Sequence, residues 1–360
     1  MTTEIATTDT AELARQAETV ERARQLIEDA TPENTLRARS GALRYFWSWA
    51  DVALDLAESY PVAPGVLLQF VTDHLTGLDE ETDRRLHEMT WEDDLGRVQR
   101  IKARLGVHSI ATVSARVSHI AAAHAAQGLD SPSSDPVVVE ALKAGRKLRA
   151  RNGGQKAKQA ATLDTLDAML RTCDDSPAGL RDAALLLTAF ASGGRRRSEV
   201  AAIQAEDLET VQRQIHGHPS SHAVDYVLTL RHSKADQEGE GLSLPIAGRA
   251  ADVLRRWIDF AEISEGPIFR GISKGGKING KAITGRTVAR IVKARAELAG
   301  LDPRAFAGHS LRSGFVSECG RRGISLQETM SLTGHKTPSV AARYHRPGAV
   351  LHSAAARIAG

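Results

Sequence analysis

A mainly α fold with a small β-sheet, divided into two domains, is what this sequence predicts, and three observations carry that reading. Apolar residues recur at helical spacing over residues 36–56 and 110–121. Residues 226–230 and 242–246 alternate apolar and polar as strands do. A chain of 360 residues is also long enough for two separately cored domains.

Taken in order, residues 1–30 read as an N-terminal extension, one exposed helix after a frayed end. Pro32 and Glu33 mark a helix start, because proline is tolerated in the first turn and a carboxylate there suits the helix dipole. Leu36, Leu43, Phe46, Trp47, Ala50, Val52 and Leu56 then trace one face. Further helices are expected over 64–75 and 109–127, the latter turning Ile110, Val113, Val117, Ile120 and Ala121 inward. Residues 31–142 thus form a helical domain, interrupted at 78–106 by acidic clusters that read as a solvated insertion.

Lys143, Arg146, Lys147, Arg149, Arg151, Lys156 and Lys158 fall within residues 143–159 with no acid among them and Gly153-Gly154 in the middle. This stretch reads as a flexible basic linker. In the second domain, residues 160–360, Thr162 caps a helix and residues 181–192 are apolar on nearly every side, as a central buried helix would be. Gly193-Gly194 stops that helix. The two strands form a hairpin with Lys234 in its turn, and helices follow over 249–263 and 287–298 and from His309, Leu326 and Pro338. Lys274, Lys277, Lys281 and Arg286 make a second basic, glycine-rich loop.

The net charge of +3 hides an asymmetry. Residues 1–142 hold 13 Lys and Arg against 23 Asp and Glu, whereas residues 143–360 hold 34 against 21. A basic half beside an acidic one suits a polyanionic partner for the C-terminal part. Cys173 and Cys319 lie far apart and outside any metal-ligand spacing, so neither a disulfide framework nor a metal site is expected. No apolar run is long enough to span a bilayer and no export signal opens the chain, so a cytoplasmic protein without membrane association is expected.

The chemistry concentrates between Gly308 and His345. Gly308-His309-Ser310-Leu311-Arg312-Ser313-Gly314 is followed by Thr333-Gly334-His335 and then Tyr344. Residues three apart share a helix face, so His309 and Arg312 aim at one cleft. With 13 His and 36 Arg, composition alone yields roughly one His-x-x-Arg pair, so the pair by itself says little. Its place in an ordered string says more: Gly194-Arg195-Arg196-Arg197-Ser198-Glu199 and Ser233-Lys234 precede it, and Gly334-His335 with Tyr344 nine residues on follow.

This ordered set resembles the tyrosine recombinase (phage integrase) family, strongly over residues 160–346 and more loosely over 32–128. The resemblance implies a helical core-binding (SAM-like) DNA-clamp domain and an α+β catalytic domain. It implies Arg196, Lys234, His309, Arg312, His335 and Tyr344 as catalytic residues, with Glu199 supporting Arg196 from behind. Thr333 departs from the pattern, standing where a larger apolar residue is common, and Arg195 and Arg197 flank the family arginine.

The implied reaction is cleavage and rejoining of DNA strands through a 3′-phosphotyrosyl intermediate, without metal or other cofactor. Arg196 and Arg312 would neutralise the phosphate, His309 and His335 would donate hydrogen bonds to it, and His309 would also be placed to accept the tyrosine proton. Lys234 would protonate the leaving oxygen. The implied partners are double-stranded DNA, touched by the two basic stretches, and further copies in a tetramer on DNA, with room for an accessory DNA-bending protein. A type IB topoisomerase, a telomere resolvase and a catalytically silent DNA-binding regulator on the same fold remain as alternatives.

Overall fold

The computed structural model describes residues 10–94, 96–152, 158–215, 218–230 and 241–349. The chain is mostly helical with small antiparallel sheets and folds as two compact units, residues 1–156 and 157–360.

The first unit runs α1 (Thr10–Asp29), α2 (Glu33–Leu54), α3 (Pro64–Thr76), α4 (Glu80–Glu88), β1 (Thr90–Glu92), β2 (Val98–Arg100), α5 (Ile110–Ala126) and α6 (Pro136–Arg151). Its core gathers Tyr45, Phe46 and Trp49 of α2, Leu67, Phe70 and Val71 of α3, and Val113, Val117 and Ile120 of α5. The buried face of α2 is rotated from the expected one: Tyr45 and Trp49 go inside, while Leu56 lies beyond the helix and is exposed.

A polar network is embedded in this core. His74 Nδ1 donates to the Phe70 carbonyl at 2.6 Å, which leaves Nε2 to accept the Tyr45 hydroxyl at 2.8 Å. His108 Nε2 reaches the same hydroxyl at 3.0 Å, and the Arg116 guanidinium lies 3.3 Å over the Tyr45 ring. Burial pushes the Tyr45 phenol up to about 12 and the imidazoles down, His74 to about 3 and His108 to about 4.

Two expectations are corrected here. The acidic stretch 78–106 is a structured part of this unit, not a solvated insertion. Asp79 caps α4 by accepting from the Thr82 amide at 2.9 Å, acidic residues fill the favourable first turn, and Leu86 is fully buried. Lys102, 1% exposed, pairs with Asp83 and donates to the Gly106 carbonyl at 2.8 Å, tying the segment down. Nor is the basic stretch a flexible tether throughout. Lys143, Arg146, Lys147, Arg149 and Arg151 belong to α6, which buries Val138 and Leu142. Gly145 makes the docking close, because a Cβ there would lie 2.7 Å from the Leu75 side chain and 3.0 Å from that of Ile110. Lys156, Gly153 and Gly154 lie outside the described residues.

The second unit runs α7 (Leu163–Leu170), α8 (Pro177–Ala191), α9 (Arg197–Ala202), β3 (Leu208–Ile215), β4 (His218–Leu230), β5 (Leu242–Ile246), α10 (Arg249–Phe260), β6 (Arg270–Ile272), β7 (Ile278–Ala282), α11 (Gly285–Leu298), α12 (Ser310–Arg321), α13 (Leu326–Thr333) and α14 (Pro338–Ala349). As its sequence predicts, α8 is central, with Ala184, Leu185 and Leu186 fully buried. The expected hairpin pairs Tyr226 with Ile246 and Leu230 with Leu242. It is joined by β3, which the sequence reading passed over and which pairs Leu208 with Leu228. The second basic loop is itself a hairpin, β6 with β7, and Lys274, Lys277, Lys281 and Arg286 are exposed on and beside it.

Candidate active site

Three pieces of backbone converge in the second unit: the turn from α8 into α9, the start of α12, and the end of α13. Gly193 and Gly194 carry left-handed φ values of 88° and 67°, which end α8 and admit little but glycine. Space adds a second demand. A Cβ on Gly194 would lie 2.4 Å from the Arg312 Cα, and one on Gly193 would lie 2.4 Å from the Leu332 carbonyl oxygen. The arginine box is therefore pressed directly onto both helices that carry the histidines.

Each of its three arginines takes a different direction. Arg195 turns inward, 2% exposed, and donates from Nη2 to the Leu332 carbonyl at 2.5 Å, fastening α13 to the box. Arg196 caps α9 at the rim. Its amide donates to Glu199 Oε2 at 3.0 Å and its Nη1 to Oε1 at 2.5 Å, so one buried carboxylate fixes both backbone and guanidinium. Arg197 points out to solvent, its stem packed beside Gly285 and Gly308. The inward role of Arg195 was not read from the sequence, although a charged residue directly after two glycines that end a core helix was its signal.

On α12, His309 is the cap residue and Arg312 the third in the helix, on the shared face the spacing predicts. Gly314 lets the chain from Gln159 to Ala161 cross this helix, since a Cβ there would fall 1.8 Å from the Ala161 carbonyl oxygen. Arg312, 2% exposed, donates from Nη1 to the Gly194 carbonyl at 3.2 Å and from Nε to His335 Nε2 at 3.3 Å. Its Nη2 is buried without a partner, as is Arg195 Nε. Gly334 ends α13 in the left-handed conformation, and His335 follows with Nδ1 against Thr333 Oγ1 at 2.7 Å.

The electrostatics follow from three guanidiniums and one carboxylate in a small volume. Burial, followed by Arg195 and Arg196, draws Arg312 down to about 10, which leaves it charged at neutral pH. Burial, followed by Arg312, His309 and the other arginines, holds His335 at about 4. Burial, followed by Arg312 and Arg196, lowers His309 below its ordinary value as well, so both rings are neutral at pH 7. Arg312 Nη2 and Arg195 Nε thus remain as buried guanidinium donors without partners, an arrangement suited to an incoming anion.

Tyr344 sits part-buried on α14, which docks on α12 of the same chain. Ser317 Oγ donates to the Tyr344 carbonyl at 3.1 Å, His345 Nε2 lies 2.8 Å from the Ile324 carbonyl, and Ala341 and Ala342 are buried. The Tyr344 hydroxyl makes no hydrogen bond to any described residue. The structure therefore gathers Arg196, Glu199, His309, Arg312 and His335 into one cluster, with Tyr344 on the helix alongside. Lys234 lies outside the described residues. Among the described residues, no cluster of His, Cys, Asp or Glu is placed to hold a metal ion, and no helix is long and apolar enough to cross a membrane.

Residues 160–349 match the phage integrase family model, a span that takes in every member of this cluster. The chain belongs to the phage integrase family. The chain is 35% identical over 250 residues to an integrase/recombinase XerD homologue of Selenomonas ruminantium, the match covering 67% of this chain and 69% of that one. It is 22% identical over 312 residues to the tyrosine recombinase XerD of Listeria monocytogenes, covering 86% of each. Among solved structures it resembles the Tn1549 transposon integrase in complex with transposon right end DNA. The TM-score is 0.54 at 13% identity, with 92% of this chain and 95% of that one covered.

Proposed function

We propose that this integrase-family protein is a site-specific DNA recombinase that cleaves and rejoins DNA strands through a 3′-phosphotyrosyl intermediate. The observation that carries the reading is the excess of guanidinium over carboxylate around Arg312, whose buried Nη2 has no partner. A phosphodiester supplies the missing acceptors. Arg196 and Arg312 bind its two non-bridging oxygens, and losing either costs about 3 to 4 kcal/mol of transition-state stabilisation.

The Tyr344 oxygen attacks phosphorus and the 5′-oxygen leaves. An isolated phenol titrates near about 10, so the attack needs a base, and His309, neutral and beside the cluster, takes that proton. Lys234 returns a proton to the leaving oxygen. Attack by another strand's 5′-hydroxyl reverses the step with the bond energy conserved, so neither nucleotide hydrolysis nor a metal ion is called for. The partner is double-stranded DNA, engaged by exposed cations of α6 and of the β6–β7 hairpin and by Lys156 and Lys158. The reaction takes place in a tetramer of this chain, in the cytoplasm.

The test is incubation with a nicked duplex built from DNA flanking the protein's own gene. A covalent protein–DNA adduct is expected in the presence of EDTA, and none with Tyr344→Phe. Duplex binding without any adduct would support a silent regulator, and relaxation of supercoils on arbitrary DNA would support a topoisomerase.

A further inference from the structure

A helix ends in carbonyls that its own backbone cannot serve, and in a partial negative charge that a nearby cation offsets. The last turn of α13 contains no basic residue to do so. Nor does α13 bury any apolar side chain of its own: of its eight residues only Thr329 and Thr333 are buried. The Gly334 amide closes on the Met330 carbonyl at 2.8 Å. The Leu332 carbonyl instead receives Arg195 Nη2, which arrives from the α8–α9 turn, 137 residues earlier in the chain. Arg195 needs that contact in return. Both Glu199 oxygens are taken by Arg196, Oε1 by its guanidinium at 2.5 Å and Oε2 by its amide at 3.0 Å, which leaves Arg195 Nη1 3.9 Å from the carboxylate. A guanidinium 2% exposed requires a negative partner, and the end of α13 supplies it. Gly193 keeps the path open, because a Cβ there would lie 2.4 Å from the Leu332 carbonyl oxygen and 3.1 Å from Arg195 Nη2.

We propose that Arg195 is a positioning residue whose buried guanidinium closes the C-terminus of α13 from outside the helix and so fixes the following Gly334-His335 to the arginine box. Arg312 is already tied to that box, donating from Nη1 to the Gly194 carbonyl. With the Arg195 contact in place, the box, α12 and α13 hold their reactive side chains as one piece. Of the three consecutive arginines, Arg196 faces the cluster from the rim, Arg197 faces solvent, and Arg195 works from behind, touching no reacting atom. Without its charge, α13 keeps an unserved carbonyl and an uncompensated dipole, and no buried apolar side chain of its own holds it in register.

The rate readout of this proposal rests on the strand-transfer reading above, whereas its exchange readouts do not. In NMR spectra of the full-length protein, the Arg195 Nη protons, assigned by their loss in Arg195→Lys, should exchange slowly with solvent. Fast exchange of those protons in the folded wild type overturns the proposal with no variant involved. Arg195→Met, of similar length but without charge or donor, should speed exchange of the Gly334 amide about 5- to 30-fold. It should also slow single-turnover cleavage of the nicked duplex about 100-fold, while salt-sensitive duplex binding persists. Arg195→Lys keeps a cation and a donor and should restore most of both. Wild-type cleavage by Arg195→Met, slow cleavage with unchanged Gly334 exchange, or a lysine variant as slow as the methionine one would each overturn it. An adduct that survives Tyr344→Phe would instead sink the strand-transfer reading and leave the exchange measurements standing.

Discussion

Replacing Gly194 by alanine is the sharpest probe of how this cluster is held. The new Cβ would sit 2.4 Å from the Arg312 Cα and 3.0 Å from its Cβ, whereas carbon atoms settle at about 3.5 to 4 Å. The obstruction is backbone, so the α8–α9 turn and α12 must part by roughly 1 Å, and Arg312 moves with its helix. Displacements of about 1 Å at a reacting centre cost on the order of 100-fold in rate. The left-handed φ of 67° adds about 1 to 2 kcal/mol of strain for any side chain. Gly194→Ala should therefore slow formation of the covalent adduct about 100-fold while salt-sensitive duplex binding, which draws on exposed cations elsewhere, persists. Gly323→Ala is the control. It also has a left-handed φ, 73°, but nothing within 4 Å of its new Cβ, so it should carry the strain without the slow cleavage. Single-turnover kinetics on the nicked duplex, alongside thermal unfolding of both variants, decides the matter. Wild-type cleavage by Gly194→Ala, or equal slowing by Gly323→Ala, would refute the reasoning.

Two further outcomes are expected. Glu199→Gln removes the one carboxylate among three guanidiniums, and breaking a buried pair in this way costs about 3 kcal/mol, less here because Arg196 is 30% exposed. Urea unfolding reads the loss, and unchanged stability would mean that the pair contributes nothing. In the first unit, His74 titrates at about 3 when folded, below its ordinary value of 6.5, because burial disfavours the imidazolium. The unfolded chain then binds the proton first, so the contribution of His74 is whole above pH 6.5 and is lost progressively as pH falls toward 3. From pH 6.5 to 4.5 that loss is about 2 to 3 kcal/mol. His74→Gln keeps an acceptor for Tyr45 and should flatten the pH dependence of urea unfolding. An undiminished slope would contradict the assignment.

What the sequence by itself determined was local. The spacing of His309 and Arg312 puts both on one helical face, Gly193-Gly194 ends the central helix, and alternation marks the two strands, because each depends only on backbone geometry within a few residues. Glu199 was legible for the same reason, standing one turn from Arg196. Tertiary structure decided the rest. Whether Arg195, Arg196 or Arg197 turns inward depends on which neighbour receives it, and Leu332 and Gly308 are supplied by distant stretches of chain. The acidic stretch looked solvated until Lys102 and Leu86 entered the core, and a run of cations looked like a tether until Gly145 brought α6 against its neighbours. The surroundings of His335 belong to the same class: Arg312 lies 23 residues away and Thr333 two away, and only packing brings both to one ring.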